Sequence, residues 1–278
     1  MFRSASVFSV TSFVHGTLDD RLKLHACREL GALDQSVMGW HPVQDDTWYI
    51  EHQGMVVLNV ARRVRRIPPT LVKERMDAEC ALAPTMNAYE KRQLKQRIID
   101  QLAPLVIPET TFVPLILDVT QELIIIGSQS APVLEKILRL LQDSFPGIVL
   151  KPRWSKELQR QAIRTAWNKE TWPMQSTPQG DVMLIHASGQ YQRIRLAGVT
   201  DLTVVDDCLV HGYIIVGVRL VCSNGLSCFI TPNGHFQAIR YPQVEEEEVS
   251  PSTVIDWLAV LELRAWALGF AAWVHESA

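Results

Sequence analysis

Residues 112–144 read FVPLILDVTQELIIIGSQSAPVLEKILRLLQDS, and this stretch decides the fold class. Phe112 to Asp118 and Leu123 to Gly127 are apolar and β-branched runs parted by a short polar segment, which predicts a hairpin. The period then changes: a helical pattern runs from Ala131 to about Ser144, and Pro146-Gly147 terminates it. A hairpin leading into a helix predicts an α+β chain.

Working outward toward the N-terminus, Thr70 caps a predicted helix through about Ala83, and Pro84 interrupts it. Asn87 caps a second helix through Leu102, and Pro104 ends that one. The pair is expected to be inserted between strands. Ahead of it, Trp48 to Glu51 and Met55 to Ala61 flank Gln53-Gly54 as a second hairpin, and Pro68-Pro69 closes that unit. Phe8 to Phe13 predicts a strand and Leu18 to Leu30 a helix, with Asp19 and Asp20 at its start and Gly31 at its end.

Toward the C-terminus, residues 151–179 are less periodic and mark a boundary or a peripheral helix. Six short β-prone runs follow: Asp181 to Ile185, Gln192 to Leu196, Leu202 to Val205, Tyr213 to Val221, Ser227 to Thr231 and Phe236 to Tyr241. Asn224-Gly225 and Asn233-Gly234 are their clearest hairpin turns, so a small antiparallel-sheet domain is expected. Glu245 to Glu248 reads as a solvated linker, and Ser250-Pro251-Ser252 opens a last, apolar helix. The stretch Val254 to Val274 carries Asp256, Glu262 and Arg264, so it is expected to return to a core and not to anchor a membrane.

A chain of 278 residues that is 47% hydrophobic is long enough to bury a full core, which excludes a disulfide-stapled miniprotein. Its five cysteines are odd in number and scattered, which points to a reduced, cytoplasmic compartment. Chemistry-bearing motifs are few. Cys208, His211, Cys222, Cys228 and His235 fall in one region but match no standard zinc spacing. Asp118 and Glu122 straddle a turn as the carboxylates of a metal-dependent nuclease would, without a third ligand at a diagnostic spacing. No nucleophile elbow, phosphate loop or dinucleotide fingerprint is present, so a non-enzymatic protein without metal or cofactor is expected.

Charge distribution is more informative. The net charge is −3, yet residues 60–105 hold ten Lys and Arg against five acids. Residues 130–170 hold eight against four, whereas 171–278 hold five against eleven. Arg62, Arg63, Arg65 and Arg66 cannot all occupy the buried side of one strand, because alternate side chains point to opposite faces. Lys91, Arg92, Lys95 and Arg97 add a basic stretch on the second inserted helix. These eight residues are the candidate phosphate contacts of a surface that grips duplex DNA by its backbone and carries no base-reading motif. A solvated basic surface with snorkelling side chains is the competing reading.

The chain resembles the recombination-associated protein RdgC family. The resemblance rests on Met38-Gly39-Trp40, Val60-Ala61-Arg62-Arg63 leading into Ile67-Pro68-Pro69, Glu90-Lys91, Leu94-Lys95, Leu102 with Pro104, and Phe112 to Gly127 with the helix after it; Asp201-Leu202-Thr203 adds a weaker match. It implies an antiparallel-sheet central domain (1–69 and 106–150), a helical tip (70–105), a smaller, mainly β base (151–248) and a C-terminal helix (249–278). It also implies a ring-shaped homodimer around duplex DNA, nucleoid-associated, limiting RecA access during recombination. Leu105 and Ile107 stand where the family has an arginine and an aromatic residue, and by that analogy they form a dimer contact. The family's lysine-bearing finger is replaced by Leu196-Ala197-Gly198-Val199-Thr200, and the resemblance then implies that DNA binding by the base is weakened, moved to Arg193 and Arg195, or lost. An alternative function is a protein-interaction inhibitor of a nuclease or recombinase with little DNA binding.

Overall fold

The computed structural model describes residues 2–13, 18–32, 34–82, 85–196, 200–241 and 257–277. They form twelve strands and seven α-helices, an α+β chain with a large antiparallel sheet. Pro84, the 197–199 part of the altered finger, the 245–248 acidic run and the 250–252 helix start lie outside the described residues. Two compact units partition the chain, one of residues 1–15, 50–57 and 114–278, the other of 16–49 and 58–113.

In the larger unit, β1 (Ser4–Thr11) pairs antiparallel with β6 (Leu123–Ile126), and β6 pairs with the end of β5 (Glu109–Asp118) in the predicted hairpin. The other edge of β1 is shared. Ser4 and Ala5 pair with β12 (Phe236–Arg240), and Phe8 to Thr11 with β7 (Val149–Pro152). From β12 the sheet continues through β11 (Ser227–Ile230), β10 (Tyr213–Val221), β8 (Thr177–His186) and β9 (Tyr191–Leu196). Helix α4 (Ala131–Ser144) buries Leu134, Ile137 and Leu141, the helical spacing visible in the opening stretch.

Two helices supply much of this unit's core. Helix α5 (Lys156–Lys169) starts where the Ser155 Oγ accepts the Leu158 N–H at 3.1 Å, and it buries Ala162, Ile163 and Ala166. Helix α7 (Trp257–Ser277) contributes Leu263, Trp266, Ala267, Phe270 and Val274, each at most 1% exposed. No described helix is long and apolar enough to cross a membrane. The Arg264 charge of α7 is paired inside the unit: its Nε donates to Asp118, which is fully buried at the end of β5.

Leu202 to Val205, expected as a strand, is helical. It belongs to α6 (Thr200–Val210), where Val205 is fully buried while Val204 is 45% exposed. The β-branched run favours a strand locally, and packing of one face of the helix overrides that preference.

In the smaller unit, α1 spans Leu18–Leu24 and stops short of the expected Leu30. The chain leaves the helix to pair with β2 (Ser36–His41): Cys27 N donates to Trp40 O at 2.8 Å and Trp40 N to His25 O at 3.0 Å. Gly39 permits this approach, since a Cβ there would lie 2.6 Å from Cys27 N. That is the physical content of Met38-Gly39-Trp40. Strand β2 pairs with residues 59–64 of β4 (Met55–Val64); residues 50–57, which hold most of β3 (Tyr49–His52) and the turn with positive φ at Gln53 and Gly54, belong to the larger unit.

Helices α2 (Pro69–Leu82) and α3 (Ala88–Leu102) pack together through Val72, Leu94, Ile98 and Leu102. At roughly 1.5–3 kcal/mol for each buried side chain, these four contribute about 6–12 kcal/mol, a minor share of the ~1–2 kcal/mol per residue that ordering the pair costs. Asn87 closes a capping box: its Oδ1 accepts from Tyr89 N and Glu90 N, and Glu90 Oε2 accepts from Asn87 N at 2.8 Å.

Candidate nucleic-acid interface

All eight candidate phosphate contacts fall in the smaller unit, and they divide by what holds them. On β4 and just beyond it, Arg63 pairs with Glu29 at 2.8 Å and Arg66 with Glu109 at 3.2 Å. Arg65 is more deeply committed, donating through Nη1 to the carbonyls of Gly31 and Ala32 at 2.8 Å and of Asp34 at 3.2 Å. It fastens the loop ahead of β2. At Arg62 it is the backbone that takes part in this arrangement, its carbonyl accepting from Thr111 Oγ1 at 3.3 Å.

Helix α3 differs. Lys91, Arg92, Lys95 and Arg97 are exposed, and none forms an ion pair among the described residues. The two nearest acids on the helix are occupied, Glu90 by the capping box and Asp100 by Gln96 Nε2 at 2.8 Å. The apolar positions Leu94, Ile98 and Leu102 face the α2 side of the pair; by helical spacing Lys91 and Lys95 border that stripe and Arg92 and Arg97 lie on opposite flanks, so the exposed cations are spread around the helix. Lys95 and Arg65 line one cavity of about 440 Å³ together with Lys73, and Asp34 and Asp77 sit in the same wall.

Leu105 and Ile107 follow α3 and are 77% and 88% exposed. Phe112 is exposed nearby in sequence, its ring edge-on to His41 with centroids 4.9 Å apart. In the larger unit, Arg193 pairs with Asp181 at 2.7 Å and lies over the Phe229 ring, whereas Arg195 is exposed.

The carboxylates considered for metal do not converge. Asp118 accepts from Thr120 Oγ1 at 2.7 Å, from Gln121 N at 3.0 Å and from Arg264. Burial pushes its pKa up, and these donors outweigh burial and hold it below the usual carboxylate range. Glu122 is exposed. No group of three His, Cys, Asp or Glu among the described residues is placed to hold a metal ion. Cys228 is fully buried, which pushes its thiol up to about 12, and it accepts the Trp266 Nε1–H at 3.0 Å. His235 is held below its ordinary value by burial and then by Lys156, and its Nδ1 lies 2.9 Å from the Ser6 hydroxyl. Cys228 is a core group, whereas His235 is half-buried at the wall of a cavity.

An antiparallel sheet backed by helices, with an apolar-cored helical pair whose second helix exposes four cations that form no ion pair among the described residues, defines an α+β protein with a cationic helix. The family model described as "Putative exonuclease, RdgC" matches residues 1–255. The chain belongs to the RdgC family, as the motifs from Met38 to Gly127 indicate. No curated protein matches it.

Proposed function

We propose that this chain is a non-enzymatic, duplex-DNA-binding protein without sequence preference, acting in recombination as a ring-shaped homodimer that limits RecA access to DNA in the nucleoid. The observation that carries this reading is helix α3, where Lys91, Arg92, Lys95 and Arg97 are exposed without carboxylate partners among the described residues. Unpaired cations on a rigid helix neutralise phosphates at no cost in broken internal ion pairs, and counterion release then drives binding. Exposed Leu105 and Ile107 support self-association, since two large apolar side chains left in water gain by meeting a second copy. Family membership supports the recombination setting.

The test is a gel shift on duplex DNA over a salt series. Affinity is expected to fall steeply as salt rises, and replacing the four α3 cations by glutamine is expected to flatten that dependence. Salt-independent binding, or an unchanged slope in the quadruple variant, would sink the assignment. Analytical ultracentrifugation of a Leu105→Ser/Ile107→Ser double variant tests the dimer contact, with a shift toward monomer expected.

A further inference from the structure

In the larger unit, helix α5 and the junction between α6 and β10 enclose a groove of about 570 Å³. Arg160, Arg164 and Trp167 of α5 line one side, and Leu209, Tyr213 and Ile215 the other. A second cavity of about 310 Å³ meets it at Arg160, Gly212 and Ile214. This volume falls in the range of small-molecule sites, and none of the residues proposed to contact duplex DNA takes part.

The two arginines are one helical turn apart on the same face as Trp167 and Asn168. Neither is in an ion pair among the described residues. Arg160 Nε is buried and lacks a hydrogen-bond partner. Arg63 and Arg65 also have a buried, unpartnered Nε, but their terminal nitrogens are held by Glu29 and by loop carbonyls. The terminal nitrogens of Arg160 have no such acceptor among the described residues, and it is these that an anion in the groove would meet with charge-assisted bonds.

Aromatic groups complete the lining. Trp167 is fixed by donating its Nε1–H to Asp206 Oδ1 at 2.8 Å and by an edge contact with Trp172. Tyr213 is braced by His186, with ring centroids 5.0 Å apart. A bare phosphate would use the arginines and leave this indole and phenol idle, whereas a ligand with a flat ring would use both.

We infer that the groove binds a nucleotide, its phosphates on Arg160 and Arg164 and its base against Trp167. A free nucleotide and the phosphorylated end of a nucleic-acid strand share this chemistry.

Calorimetric titration of the full chain with ADP, pyrophosphate, adenosine and a 5′-phosphorylated single-stranded oligonucleotide tests the assignment. ADP or the oligonucleotide is expected to bind more tightly than pyrophosphate or adenosine, and the tighter of the two identifies the source. Arg164→Gln, at an exposed position, is expected to weaken binding roughly tenfold, with native circular dichroism and an unchanged duplex gel shift. The Arg160→Gln/Arg164→Gln variant is expected to show no binding. Absence of heat with all four probes would overturn the inference. So would pyrophosphate binding as tightly as ADP, or a double variant that binds normally.

Discussion

Two runs of four cations lie in the smaller unit, and the fold treats them differently. On β4 and just past it, Arg63, Arg65 and Arg66 have acceptors within the unit, and Arg65 alone donates to three carbonyls. On α3, Lys91, Arg92, Lys95 and Arg97 have no carboxylate partner among the described residues. Equal charge in sequence is thus unequal charge at the surface. A strand that continues into a loop is surrounded by backbone carbonyls and the acids of neighbouring segments. A helix with one buried stripe holds its other side chains out in water.

The strongest contrast is between a cation the fold cannot release and one it does not use. Arg264→Leu leaves the Asp118 carboxylate buried without its charged partner, and a loss of about 3 kcal/mol is expected in urea unfolding. The pH dependence follows. Because folding lowers the Asp118 pKa, the native state binds fewer protons than the unfolded chain as the medium turns acid. The stabilisation is complete above the unfolded carboxylate value of about 4 and is lost as pH falls through the folded value. Acid unfolding of Arg264→Leu should therefore be less steep than that of the parent below about pH 4.

Next in size is the effect on DNA of replacing all four α3 cations by glutamine. The slope of log affinity against log salt should fall by about 3–4 for each protomer whose α3 contacts the DNA, roughly 0.9 for each phosphate no longer neutralised, while thermal stability barely moves. Arg65→Ala should do the reverse, costing about 1–2 kcal/mol in stability with a small change in the salt slope. If Arg65→Ala proved stable and DNA-deficient, the division between committed and open cations would be broken. The smallest effect is expected from Arg66→Gln, whose exposed pair with Glu109 should contribute less than about 1 kcal/mol in chemical unfolding.

Elements with strong punctuation were legible in the sequence. The hairpin of β5 and β6, helix α4, and Asn87 as the cap of α3 all stand where turn residues, apolar period and capping chemistry agree. Four elements were hidden. Strand β2 is short and interrupted by Gly39, whose role is visible only when the chain at Cys27 lies against it. Helix α6 carries a β-branched run that reads as a strand until packing is known. Strand β7 and helix α5 lie in a stretch whose periodicity is diluted by Lys, Arg and Gln.

The candidate surface was legible as charge and not as availability, because the partners of Arg63 and Arg65 lie more than thirty residues away in the chain. The nucleotide groove had a signal, Arg160, Arg164, Trp167 and Asn168 at helical spacing. It carries no meaning until β10 supplies the opposite wall.

Helix α7 also bears on how the protein is made. It is synthesised after every strand it covers, and it brings Leu263, Trp266 and Phe270 to a core already holding residues from β1, β8, β10 and β12. Until it leaves the ribosome, that apolar face has no lid and the Asp118 carboxylate has no cation. The larger unit therefore completes its folding after translation of α7, and a nascent chain stalled short of it would present a sticky sheet to chaperones and to other stalled copies.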